Sequence, residues 1–456
     1  MCYRFAGVTI SMQTFKDRGE LKLRDLKTKR AACVLCFALM LLACGCARRA
    51  GQGPSGTSAA SPAANSGQAV RVSSDDADAA EPASAAGPDG SVYVAWVEHR
   101  SNGAADVMLA HLDSAGRMGG TPVRLNSEAG KATAWRGDPP TVALSQNGVV
   151  YVGWTARIES ASGHADDLYL SVSHDGGQSF ASPVKVNDDQ EPAVHGMHSL
   201  AVAHDGRVYM AWLDERNVTQ PQHSGKAEGH HMESNRELFM AYSTDDGRSF
   251  STNQRVATDV CPCCKTALAI GSDNRLYVSW RQVLPGDFRH IAVASSSDGG
   301  KAFSQPVIVS DDRWQIAGCP VSGPSLAVGA DGVLRVLWYS EGHAGETGLY
   351  WSESSDGART FAPRKLFSGG QVSGTPVLLN DKGNTFAAVW GEGGNGPSHL
   401  VTARLDVEGH VIEDNGTAMN NSELPTAAET GGQLFIAYIS KSGDHRSIWL
   451  SHKSPA

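Results

Sequence analysis

One phrase recurs along the chain and limits what it can fold into: DGSVYVAW ending at Trp96, NGVVYVGW at Trp154, DGRVYMAW at Trp212, DNRLYVSW at Trp280, DGVLRVLW at Trp338, KGNTFAAVW at Trp390 and GGQLFIAY at Tyr438. The seven copies stand about 50 to 70 residues apart, so the repeat decides the architecture before any local propensity does. Each copy couples an Asp/Asn/Gly turn to an alternating run of β-branched and aromatic residues, and each follows a short apolar stretch such as TVALS, SLAVA or ALAIG. That reads as strand, tight turn, strand. A third strand follows, as in DLYLSVS, ELFMAYS, HIAVASS and GLYWSES, then a fourth such as PVKVND or PVIVSD. Four antiparallel strands per repeat make the blade of a β-propeller, an all-β fold. The last repeat stops after SIWLSHKS, its third strand, whereas QAVRVSSDD at 68 to 76 has the character of a fourth. Seven blades are expected, with the N-terminal strand completing the last one so that no sheet edge stays open.

The turn between third and fourth strands carries the most specific motif. SHDGGQSF at 173 to 180, STDDGRSF at 243 to 250, SSDGGKAF at 296 to 303 and SSDGARTF at 354 to 361 fit S-x-D-x-G-x-x-F, with Ala358 in place of the glycine in the last. This resembles the Asp box, or BNR repeat, of the sialidase superfamily, and the resemblance spans residues 68 to 453. Asp175, Asp245, Asp298 and Asp356 are expected to accept backbone N–H bonds within the hairpin, and Phe180, Phe250, Phe303 and Phe361 to plug between sheets. Those carboxylates are therefore structural. Sialidases have six blades, which makes six the alternative count.

Compartment decides how the cysteines are read. The basic stretch KLRDLKTKR at 22 to 30 is followed by the apolar run AACVLCFALMLLA at 31 to 43, too short for a comfortable membrane span and typical of a signal-peptide core. The run ends in LLAC at 41 to 44, which resembles the lipobox of bacterial lipoproteins. The resemblance implies a signal peptide over 1–43 and a lipid on Cys44, with Cys46 as second choice. Residues 44–67, rich in Ala, Gly, Ser and Pro, read as a flexible tether, because they cannot bury enough surface to offset their ordering entropy. Residues 68–456 form the propeller domain. The expected location is the bacterial cell envelope, exported and held to a membrane by the lipid anchor alone. A net charge of -9 argues against nucleic acid, whose binding needs a concentrated positive field.

Export leaves Cys261, Cys263, Cys264 and Cys319 in the folded part. In a propeller the segments ahead of each inner strand and behind each second strand meet on the face opposite the Asp-box turns, where the sialidase family holds its active site. AWRGDPP (134 to 140), AVHGMHS (193 to 199), CPCCKT (261 to 266) and GCPVSGP (318 to 324) all precede inner strands, and Cys261 aligns with Cys319 of the following blade. Two readings compete for the four cysteines. One is a disulfide clamp between neighbouring blades, Cys319 to one of the other three, with Cys261 the better partner of Cys264 because adjacent Cys263 and Cys264 would bridge under strain. The other is a soft-metal site joined by His195, Met197 or His198. Export and the even count favour disulfides. A redox role for the C-x-x-C of Cys261 and Cys264 ranks third, since no thioredoxin-like unit surrounds it.

The same face collects groups suited to a polar ligand: Trp135, Arg136, Asp138, His195, His198, Arg313 and Trp314 ahead of inner strands, and Glu98, Arg100, Arg157, Asp214, Arg216, Arg281 and Glu341 behind second strands. Tryptophan faces stack on sugar rings and guanidinium forks hold carboxylates. The resemblance to sialidases implies a triad of arginines, an Asp acid/base and a Tyr/Glu nucleophile pair. The chain has no R-I-P motif, and Arg136 in WRGDP is the nearest substitute. For glycoside chemistry the carboxylates to test are Asp138, Asp214 and Glu98. The expectation is a propeller binding a glycan or other small polar ligand at the channel mouth, with no cofactor and no resident metal. An exo-acting glycosidase of sialidase type is the alternative, and a scaffold for envelope proteins is the third.

Overall fold

The computed structural model describes residues 69–133, 137–159, 165–218, 235–316, 318–393, 398–414 and 419–453. The signal peptide, Cys44, the tether, Trp135 and Arg136 lie outside the described residues. Every described element is a β-strand, arranged in antiparallel sheets whose strand order follows the chain. The first sheet runs Asp78–Ala86, Val92–His99, Ala105–Leu112 and Val123–Arg124; the second runs Thr141–Leu144, Val150–Arg157, Asp166–Ser173 and Val184–Lys185. The third has eight strands in two halves, His195–Val202 to Gln254–Val260 and Ala267–Ile270 to Val307–Ile308, joined by the pairing of Val260 with Gln282. The fourth begins at Ser325–Val328, the fifth at Val372–Asn380 and the sixth at Ser422–Thr430. The sixth takes its outer strand from the other end of the chain: Val70–Arg71 pairs with His445–Lys453, Val70 opposite Leu450.

Second strands such as Val208–Asp214 are buried along their whole length, which is why each repeat reads as a nearly unbroken apolar run rather than a strict alternation. Both faces of each sheet are covered by a neighbour. One apolar core holds Val94 and Trp96 of the first sheet against Phe435 and Ile448 of the sixth, the next holds Tyr93 and Leu109 against Val152 and Trp154, and so on along the chain. First strands of successive units touch in chain order, and Ser422–Thr430 touches Asp78–Ala86. This is an all-β, propeller-like arrangement of four-stranded antiparallel sheets.

The four S-x-D-x-G-x-x-F turns share one hydrogen-bond pattern. Asp175 Oδ1 accepts the Gln178 and Ser179 N–H groups at 3.0 and 2.9 Å and the Ser173 hydroxyl at 2.7 Å, while Ser173 Oγ accepts the Gly177 N–H at 2.9 Å. Asp298 and Asp356 repeat this pattern, as does Asp245 with Ser249. Bonds to the charged form hold the Asp175 and Asp245 carboxyls down to about 2. Phe180, Phe250, Phe303 and Phe361 each pack against a core between two units.

Candidate functional site

Second strands run away from these turns, so their far ends, with the segments leading into first strands, build the opposite face. There the third sheet's first strand bulges between Gly196 and Ser199, with Met197 at a φ of +53°. The bulge turns the Met197 N–H onto Asp138 Oδ1 at 2.7 Å, and His198 Nδ1 lies 3.2 Å from the same oxygen. Thr155 donates to Asp138 Oδ2 at 3.2 Å, and Lys265, from the segment ahead of Ala267–Ile270, donates to Pro139 O at 3.1 Å. Burial opposes the Asp138 charge, but His198 and Lys265 outweigh it and hold the carboxyl below its usual range. Burial likewise brings Lys265 down to about 8. Asp138 is only 7% exposed, so it serves as a clasp between units.

His195 is a second closed centre. Its Nδ1 faces Asp166 O, and its Nε2 lies 3.3 Å from Asp189 Oδ1 and 3.4 Å from Asp214 Oδ2. Burial works against the imidazolium, yet the two carboxylates prevail and push it up to about 9. Asp214 also accepts the Trp212 indole N–H at 2.8 Å and Arg216 Nε at 3.0 Å; Arg216 continues to Asp188 at 2.7 Å and lies over the Phe239 ring. Glu98 plays the same part in the first sheet, accepting Trp96 Nε1 at 3.3 Å, as Gln282 does for Trp280 and Glu392 for Trp390. The acceptor stands two residues after the tryptophan in these four strands, whereas Trp154 donates to Ser171 and Trp338 to Asp312. Sequence reading missed this W-x-[D/E/Q] spacing as a structural pair, although it was visible in the repeat.

Several expected ligand contacts are redirected inward. Arg281 is fully buried, donating to Ser322 O at 3.0 Å and Tyr339 O at 2.9 Å with its guanidinium 4.7 Å above Trp314. Trp314 is itself buried edge-on against Tyr339, so it offers no sugar-stacking face. Arg313 is exposed, its Nε 3.6 Å from Asp311. Tyr339 donates to Glu341 at 2.5 Å. The expected disulfides are not present among the four described cysteines. Cys261, Cys263 and Cys264 are buried together as thiols, and Cys319 is exposed with its sulfur interacting with Cys263.

What the opposite face does present openly is a cationic groove of about 730 Å³ between the first and second sheets. Arg100 enters it just after Val92–His99, Arg157 ends Val150–Arg157, and Lys131 comes from the loop between the sheets, where its carbonyl accepts the Arg157 N–H at 3.0 Å. Arg100 is fixed by an ion pair with buried Asp106. Glu159 is the acidic residue on its rim. Arg100 and Arg157 were legible as mouth residues; Lys131 was not, because it belongs to a return loop outside the repeated phrase.

No known family profile and no curated protein sequence matches the chain. Solved structures do. An ulvan lyase described as a new family of polysaccharide lyase, bound to GlcA(1-4)Rha3S, matches at a TM-score of 0.54 and 12% identity over 85% of this chain and 97% of that one. A polysaccharide lyase named Uly1 matches at 0.51 and 11%, over 80% and 88%. A Hadza microbial sialidase matches at 0.46 and 13%, over 80% and 76%. The likeness to the two polysaccharide lyases, at 11–12% identity, speaks for fold alone.

Proposed function

We infer that the chain is a seven-bladed, carbohydrate-binding propeller that takes an anionic glycan in the groove of Arg100, Lys131 and Arg157. The observation that carries this reading is the groove itself: three cations meet in one open cleft of a chain whose net charge is -9. Guanidinium forks and an ammonium in a cleft match carboxylate or sulfate on a sugar, where neutral hydroxyls alone would not require them. The fold likeness to polysaccharide lyases supplies the substrate class to try first. The unbroken succession of contacts from first unit to last, and the pairing of Val70–Arg71 with the sixth sheet, support seven blades closed by the N-terminal strand. Export and lipidation at Cys44 rest on the LLAC motif. Binding is favoured over sialidase-type hydrolysis because Asp138 and Asp214 are buried in ion pairs and Glu98 is committed to Trp96.

Titration calorimetry with a uronate- or sulfate-bearing oligosaccharide and its neutral counterpart tests the reading. Only the anionic sugar is expected to bind, with affinity falling at least tenfold in Arg157→Ala and in Lys131→Ala. Equal binding of both sugars, or full affinity in both variants, overturns it. Turnover of a uronate polymer or of a fluorogenic sialoside would replace the binder by an enzyme, and co-purification of envelope proteins without sugar binding would replace it by a scaffold.

A further inference from the structure

Cys261 Sγ lies 3.5 Å from Cys264 Sγ and 3.7 Å from Cys263 Sγ, and all three sulfurs lie within 4.8 Å of one another. A disulfide needs about 2.05 Å. Thiolates on one Zn²⁺, each at about 2.3 Å from the ion, stand about 3.8 Å apart along the edges of a tetrahedron, the spacing seen here. The C-x-x-C of Cys261 and Cys264 is a spacing that lets two thiolates reach one ion. The three sulfurs leave a fourth corner to be filled, and the next unit brings Cys319 near it, outside the set of sulfurs within 4.8 Å of one another. Cys319 interacts with the Cys263 thiol, and its segment is pressed against the CPCC loop, for a Cβ on Gly323 would fall 2.2 Å from Lys265 O.

The surroundings match the charge of such a centre. Four thiolates around a divalent cation leave two negative charges, costly to bury alone. Two arginines lie on the strands that follow the loop: Arg281, whose carbonyl accepts the Cys261 N–H at 2.9 Å, and Arg289, opposite Val283 on the paired strand. Both are buried, and Arg281 Nη1, Arg289 Nε and Arg289 Nη1 have no hydrogen-bond partner among the described residues. Buried guanidinium groups that lack partners are expensive, and a negatively charged thiolate cluster in the same core supplies a counter-charge. A third arginine, Arg236, donates to Pro262 O at 3.0 Å and holds the loop in place. Cysteines serving as small core hydrophobes would need none of this cationic lining.

We propose that Cys261, Cys263, Cys264 and Cys319 form a closed tetrahedral thiolate site for Zn²⁺ that ties the second half of the third sheet to the fourth. With no open position, the ion is structural. Binding releases the thiol protons, and the folded state gains the metal's binding energy.

The test uses the purified exported chain. About one zinc per chain is expected to survive gel filtration and to leave on titration with an organomercurial. Exchange for Co²⁺ should give the intense d–d bands and thiolate charge transfer of a tetrahedral four-sulfur site. Cys261→Ser and Cys264→Ser should lose the metal, and Cys319→Ser should weaken it at least tenfold with a changed Co²⁺ spectrum. If the first two variants fail to fold, the wild-type Co²⁺ spectrum still decides. Metal-free protein that gives no tetrahedral Co²⁺ spectrum overturns the site, as do disulfide-linked peptides containing Cys261 to Cys264 and Cys319 in a non-reducing digest. An unchanged four-sulfur spectrum in Cys319→Ser overturns the fourth ligand.

Discussion

Ala358 holds a φ of +67° at the turn position where Gly177, Gly247 and Gly300 stand in the other three copies. A side chain there costs about 1 kcal/mol, and the buried methyl returns about 0.8 kcal/mol through its packing beside Tyr277 and Ile291. Ala358→Gly is therefore expected to leave the urea midpoint almost unchanged. Gly247→Ala has no such compensation: its φ is +79° and its Cβ would lie 2.6 Å from Leu170 Cδ2, so a loss of about 2 to 4 kcal/mol is expected. His195 supplies a prediction with a sign. Its folded-state pKa is near 9, against 6.5 unfolded, so the stability it contributes is complete below pH 6.5 and is lost as pH rises through 9. The loss is on the order of 3 kcal/mol. His195→Gln, which leaves Asp189 and Asp214 with Arg216 as their remaining cation, should be less stable than wild type at pH 6, and the gap should narrow by pH 9.5 in paired denaturant titrations. A gap that does not change with pH would show that the ring is neutral in the folded protein.

At the scale of elements, the short strand Val70–Arg71 contributes more than its length suggests. Val72 and Ser73 extend it: the Val72 N–H donates to Ile448 O at 2.8 Å, Ser73 Oγ accepts the Ile448 N–H at 3.1 Å, and Val72 is buried in the core between the first and sixth sheets. Deleting residues 68 to 76 is expected to cost on the order of 3 kcal/mol from one buried side chain and several ladder bonds. Deleting 47 to 67 should leave the melting temperature unchanged. Equal melting temperatures for the two deletions would mean that the strand does not matter to closure. The second strands were legible because a turn followed by a β-branched and aromatic run is a local signal, and Val70–Arg71 because the last repeat stops one strand short. The partners of Asp138 were not, because Met197 and His198 lie about 60 residues away and reach it through a bulge that no residue pattern announces. Trp314 and Arg281 were misjudged for a related reason. A tryptophan ahead of a first strand can face solvent or the neighbouring sheet, and only the position of Tyr339 on that sheet decides which.

On the scale of the whole molecule, charge is distributed against the groove. Residues 1–43 carry eight Lys or Arg and three Asp or Glu, so the remainder of the chain is more acidic than the whole. A polyanion approaching the propeller is therefore repelled by the body and attracted by Arg100, Lys131 and Arg157. These two fields have different ranges. With a Debye length of about 30 Å at 0.01 M salt, the ligand feels the entire negative body; at 0.1 M the length is about 10 Å, and charges beyond the groove are largely screened while the three cations remain in reach. Affinity for an anionic oligosaccharide is thus expected to rise between 0.01 and 0.1 M salt and to fall by 1 M, where the length of about 3 Å weakens the groove contacts too. Arg157→Ala should flatten the peak, because it removes short-range attraction and leaves the repulsive body intact. Calorimetry across that salt series checks it. A steady decline from the lowest salt upward would mean that the ligand sees only local cations, and a salt-independent affinity would mean that charge does not hold the sugar at all.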